Sequence, residues 1–161
     1  MTGFVRKTLP VLTSSLSTTI RMQIEWEGDL PQVPITGVTY NSREVQAGYI
    51  FFAVKGTKVD GHEFIPHAVE RGAAAVVGAY PVRGLAVPYL QVEDPREALA
   101  HYAAAFYNHP ARNMTVIGVT GTDGKTTTAN LIYNVLIAAG LPVGIISTVN
   151  AVIGDEVVDT G

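Results

Sequence analysis

Hydrophobic positions along the chain switch repeatedly between strand-like and helix-like spacing. Residues 33–40 and 49–54 read as strands, the second almost wholly apolar, as a strand buried on both faces would be. At 64–71 the period changes: Ile65, Ala68 and Val69 share one helical face, and Gly72 is a natural stop. Residues 73–77 and 88–92 then return to short buried strands. The sharpest helix signal follows. Asp94 suits an N-cap, Pro95 the first helical position, and Glu97 completes a D-x-x-E capping box. Leu99, Tyr102, Ala103 and Phe106 make its apolar stripe at i, i+3, i+4 and i+7.

Asn108-His109-Pro110 ends that helix, because the residue before proline is pushed out of the helical region. A domain boundary is expected at 108–113. Beyond it the pattern predicts a strand at 114–119, a glycine-rich loop and a helix over 125–139. Ala129, Ile132, Tyr133 and Leu136 share one face of that helix, which Gly140 closes. A buried strand at 142–149 and a hairpin over 151–159, turning at Gly154-Asp155, complete the chain. The fold class is α/β. The expected organisation is a leader or arm at 1–32, an α/β domain at 33–110, and at 111–161 the first part of a P-loop, Rossmann-like domain. One strand–loop–helix–strand unit is less than a whole domain of that kind.

Composition narrows the function. The 161 residues are 47% apolar and 16% charged, with a net charge of −3. That balance suits a soluble globular protein and argues against nucleic-acid binding, which needs a basic face. The absence of cysteine removes disulfides, thiolate metal sites and a cysteine nucleophile. No apolar run is long enough to span a bilayer, so no membrane insertion and a cytoplasmic location are expected. His62, His67, His101 and His109 are dispersed without metal-ligand spacing and are expected at the surface or in packing, as Trp26 is.

The stretch 118-GVTGTDGKTTT-128 carries the chemistry. A phosphate loop needs a strand that delivers it, glycines that let N–H groups turn inward, and a helix N-terminus facing the anion. All three occur in order. Gly121 and Gly124 supply backbone freedom, Lys125 would reach the β- and γ-phosphates, and Thr126 would place its hydroxyl on Mg²⁺. The strict pattern G-x-x-x-x-G-K-[ST] nevertheless fails, because Val119 stands where its first glycine belongs.

At this loop the sequence resembles the Mur ligase family, whose variant reads T-G-T-x-G-K-T-[TS] and moves the glycine to Gly121. Within the family the likeness is to the MurE type, with Asp123 in place of the usual Asn or small residue. A second block agrees. The run from Thr39 to Val45 resembles the family's D-S-R-x-V segment, with Asn41 for Asp, and Val54 to His62 resembles its D-G loop. The resemblance covers about residues 35–160. It implies that Gly121, Thr122, Asp123, Gly124, Lys125, Thr126 and Thr127 hold ATP, with Lys125 catalytic and Thr126 on the metal. It assigns the UDP part of the substrate to Tyr40, Ser42, Thr57, Lys58 and Val59.

The implied activity is ATP- and Mg²⁺-dependent addition of a third amino acid, L-Lys or meso-diaminopimelate, to UDP-MurNAc-L-Ala-D-Glu. It proceeds through an acyl phosphate, in a protein expected to be monomeric. The family's further metal ligands and its amino-acid-binding domain are expected beyond Gly161, leaving this stretch inactive alone. Rival readings are a MurF-type ligase adding D-Ala-D-Ala, a folylpolyglutamate-type ligase, and a non-catalytic UDP-sugar-binding module.

Overall fold

The computed structural model describes residues 7–16, 21–26, 29–57 and 59–159. It divides into two compact units at Met114/Thr115, four residues past the predicted 110/111 boundary. In the first unit, β1 (Met22–Glu25), β2 (Gly37–Thr39), β3 (Tyr49–Phe52), β4 (Ala75–Gly78) and β5 (Tyr89–Val92) form one sheet in the order β1-β5-β4-β3-β2. The last four strands run parallel, and β1 lies antiparallel on the β5 edge, Met22 facing Val92.

Period-2 alternation in β3 feeds two cores, as a sheet covered on both faces requires. Ile50 and Phe52 point to a layer containing α1 (Leu9–Leu16) and α3 (Pro95–Phe106). Phe51 and Ala53 point to the layer of α2 (Ile65–Glu70). Phe52 meets Tyr102 edge-on at 5.4 Å between ring centroids, a favourable aromatic geometry. Burial pushes the Tyr102 phenol above its ordinary pKa, and its hydrogen bond to Thr13 partly offsets that. The predicted cap of α3 forms, Asp94 accepting from the N–H groups of Arg96 and Glu97. Its most buried line is Pro95, Ala98, Tyr102 and Ala105, about one position round from the predicted stripe.

Residues 9–16 and 22–25 are built into the first unit, where a loose leader or partly ordered arm was expected. Leu9, Leu12 and Leu16, spaced i, i+3 and i+7, are buried against the sheet. Lys7 ties the helix entry to the α3 end through its Nζ on the Ala105 carbonyl. The Ser and Thr residues between the leucines are mediocre helix formers, so burial of the leucine stripe decides the conformation. The remainder of the predicted arm, residues 1–6, 17–20 and 27–28, lies outside the described residues.

In the second unit, α4 (Lys125–Ala138) stands where predicted, with Ala129, Ile132, Tyr133 and Leu136 as its half-buried face. The hairpin also forms: β7 (Asn150–Ile153) pairs with β8 (Glu156–Asp159) around Gly154, which has φ +61°. Two expected strands differ. Residues 115–120 join no ladder, and Val116 and Ile117 are more than half exposed. Only β6 (Ile145–Ile146) forms within 142–149, antiparallel to β7, leaving Ile146 and Val149 in solvent. A strand exists only through a ladder partner, and the described residues of this unit supply none for 115–120.

Candidate functional site

Because β2, β3 and β4 are adjacent and parallel, the loops that follow them leave from one edge of the sheet. Ligands in open α/β sheets bind at this carboxyl edge. The first predicted loop is stiffened from within. The Asn41 side chain accepts from the Arg43 N–H at 3.1 Å and donates to Glu44 at 2.9 Å, while Thr39 Oγ1 accepts from the Asn41 N–H at 3.0 Å. Asn41 therefore builds the turn. Tyr40 projects into solvent, whereas Ser42 is only 8% exposed and its hydroxyl has no hydrogen-bond partner among the described residues. That hydroxyl is free to donate to or accept from a ligand group.

The second predicted loop doubles back on itself. Lys55 bridges to Asp60, Gly56 N–H donates to the Val59 carbonyl at 2.9 Å, and Gly61 N–H donates to the Val54 carbonyl at 3.0 Å. Thr57 and Val59 are thereby displayed, exposed, at the tip. Lys58 lies outside the described residues. A Cβ at Gly61 would stand 2.6 Å from the Val54 carbonyl oxygen, so the crossing admits no side chain.

His62 has a larger part than the surface or packing role expected of it. Its Nδ1 donates to the Asp60 carboxylate at 2.6 Å, and its Nε2 accepts from the Ala79 N–H at 3.0 Å. The neutral ring with the proton on Nδ1 satisfies both contacts. The Asp60 carboxyl is held below its ordinary pKa, first by the His62 backbone N–H and then by the His62 side chain. Beyond Ala79, the Tyr80 carbonyl accepts from the buried Tyr89 hydroxyl and the Ala79 carbonyl from Gln91 at 3.1 Å. Sequence reading passed over Tyr80, Tyr89 and Gln91. For His62 the D-x-H spacing was the available signal; for Tyr80 there was none.

In the second unit the glycine-rich loop runs into α4 with Gly124 as N-cap at φ +74°, a left-handed conformation that suits glycine. The first intrahelical bond is Thr128 N–H to the Gly124 carbonyl at 2.8 Å, so the N–H groups of Lys125, Thr126 and Thr127 have no helical acceptor. No acidic residue stands in that first turn, leaving the positive helix end open to an anion. Lys125 Nζ folds over the loop, donating to the carbonyls of Gly121 at 2.6 Å and Thr122 at 3.0 Å. Thr122, Asp123, Thr126 and Thr127 are exposed along it. The described residues hold no cluster of three His, Asp or Glu that could bind a metal unaided.

A sequence profile described as Mur ligase family, catalytic domain, matches residues 34–107, and one described as Mur ligase middle domain matches 119–160. The chain belongs to the Mur ligase family. A curated member, the UDP-N-acetylmuramoyl-L-alanyl-D-glutamate--2,6-diaminopimelate ligase of Aquifex aeolicus, is 48% identical over 127 residues, 79% of this chain and 26% of that protein. The chain therefore spans about a quarter of the length of that relative. Among solved members of the family, a diaminopimelate--D-alanyl-D-alanyl ligase from Acinetobacter baumannii superposes with a TM-score of 0.60 at 27% identity, over 78% of this chain and 28% of its own. The MurF ligase of Thermotoga maritima, solved in complex with ADP, gives a TM-score of 0.50 at 37% identity, over 63% of this chain and 23% of its own.

No helix among the described residues is long and apolar enough to cross a membrane. A cavity of about 550 Å³ lies beside α1, lined by Thr13, Met22, Asp29 and Leu30 among others. None of the predicted site residues lines it.

Proposed function

We propose that this chain provides the UDP-binding and ATP-phosphate-binding parts of a MurE-type ligase, which adds L-Lys or meso-diaminopimelate to UDP-MurNAc-L-Ala-D-Glu in the cytoplasm. The observation that carries the reading is the Gly121–Lys125 loop running into an open helix N-terminus, with Lys125 folded over its carbonyls. The nucleotide assignment gains support from the ADP bound by the Thermotoga relative. The MurE assignment is favoured by the 48% identity, over 127 residues, to a third-residue ligase.

In this reading Lys125 leaves the loop carbonyls and moves onto the β- and γ-phosphate oxygens, where its charge offsets the negative charge of the transferring group. The N–H groups of Lys125, Thr126 and Thr127 hold the phosphates in position. Thr126 and the ATP phosphates would hold Mg²⁺, which would supply charge neutralisation of the polyphosphate. The substrate carboxylate attacks the γ-phosphorus and ADP leaves, giving an acyl phosphate. The amine of the incoming diamino acid then displaces inorganic phosphate and forms the amide. Ser42 and the 57–59 tip hold the UDP end, with Tyr40 beside them, so that remote binding energy positions the reacting carboxylate.

Phosphate release by the full-length protein decides between the two ligase types. The proposal expects turnover with UDP-MurNAc-L-Ala-D-Glu and a diamino acid. Turnover only with a UDP-MurNAc-tripeptide and D-Ala-D-Ala would overturn it in favour of the MurF type.

A further inference from the structure

We propose that Tyr80, held by His62, is a third wall of the carboxyl-edge site, a stacking platform for the flat base of a nucleoside diphosphate. The inference rests on the reading that this edge takes a UDP-linked substrate. Tyr80 follows β4, so its loop leaves the sheet one strand away from the 53–61 loop and two from Ser42. With strands about 4.8 Å apart, those loops span roughly 10 Å, within reach of one nucleotide.

Tyr80 remains 46% exposed, yet its surroundings are fixed. It packs on the His62 ring at 4.6 Å between centroids, tilted by 42°. Its carbonyl is held by the Tyr89 hydroxyl. The residue before it is pinned on both sides, Ala79 N–H on His62 Nε2 and Ala79 C=O under Gln91 Nε2. His62 is itself anchored by Asp60. Gly78 is needed to close this arrangement, since a Cβ there would stand 2.3 Å from the Tyr89 hydroxyl and 2.7 Å from His62 Nε2.

An exposed tyrosine needs none of this to be tolerated at a surface. What the network supplies is an aromatic face whose position is set before a ligand arrives, at little entropic cost on binding. The division of labour follows from the chemistry. A ring accepts any base by stacking, while the hydroxyl of Ser42 and the backbone of Thr57 and Val59 can read the base edge or hold the diphosphate. His62 acts through Tyr80 and is a positioning residue.

The test is calorimetric titration of the 161-residue chain with uridine diphosphate, and displacement of UDP by methyl diphosphate, which lacks the base. Tyr80→Ala is expected to weaken UDP binding roughly five- to 150-fold and to leave methyl diphosphate unchanged within about twofold. His62→Ala should weaken UDP in the same direction, and the double variant should be no weaker than Tyr80→Ala within about threefold. That non-additivity would separate positioning from a general loss of structure. If Tyr80→Ala lowers the melting midpoint, Tyr80→Leu, which keeps the bulk without the ring, carries the same comparison. Failure of the unaltered chain to bind UDP would sink the underlying reading together with this inference. Binding by the unaltered chain that Tyr80→Ala and Tyr80→Leu both leave intact would overturn this inference alone.

Discussion

Leu12→Ala tests whether the N-terminal helix belongs to the core of the first unit. Leu12 is 1% exposed and sits in the cluster that joins α1 and α3 to the sheet. Removing three carbons at about 0.8 kcal/mol each forfeits about 2.4 kcal/mol of transfer free energy. The cavity left behind raises the expected loss to about 2–5 kcal/mol, a large share of the roughly 5–15 kcal/mol that stabilises a domain. The assay is urea unfolding followed by tryptophan fluorescence. The chain has one tryptophan, Trp26, half-buried just after β1, so the signal reports the first unit alone. At an m-value of about 1.5 kcal/mol/M the midpoint should fall by at least roughly 1.3 M, and a variant already unfolded in buffer counts in the same direction. A midpoint within about 0.3 M of the unaltered chain would refute the reasoning and return residues 9–16 to the status of an arm.

Three further outcomes are expected. Gly61→Ala forces a methyl against the Val54 backbone, which has no flexible end to give way; it should cost about 1–3 kcal/mol in urea unfolding and disturb the 57–59 tip. Lys125→Ala removes the side chain placed to meet the phosphates and should weaken binding of a fluorescent ATP analogue to the 161-residue chain at least about tenfold, with α4 helicity unchanged by circular dichroism. Burial pushes the Tyr89 phenol up to about 12 from 10.0, so the folded state favours its neutral form. That contribution to stability is complete below about pH 10 and is lost as pH rises toward about 12. Stability measured across that range should fall less steeply for Tyr89→Phe than for the unaltered chain.

The sequence by itself determined the alternation of elements, the cap of α3, the span of α4 with its half-buried face, and the hairpin at Gly154. These are local matters. A capping carboxylate, a glycine at positive φ or an apolar stripe acts within a few residues, and its signal survives without knowledge of the fold. The glycine-rich loop running into α4 was legible for the same reason, since glycines, lysine and helix start follow one another along the chain. Its departure at Val119 was legible too, and pointed to the family variant.

Tertiary structure decided the rest. Leu9, Leu12 and Leu16 carry a weak helical stripe among hydroxyl residues, and only the sheet beneath them makes it worth burying. Residues 115–120 have strand composition, yet a parallel strand exists through its neighbours, and a ladder partner is a property of the whole domain. The candidate site at the carboxyl edge is a similar case. Ser42 and Thr57 were identified by motif, but their shared edge follows from β2 and β3 being adjacent and parallel. Asp60, His62, Ala79, Tyr80, Tyr89 and Gln91 span thirty-two positions of sequence and come together only where β3, β4 and β5 end side by side. No local pattern encodes that meeting, because long-range pairing and not sequence neighbourhood brings those groups within hydrogen-bond reach.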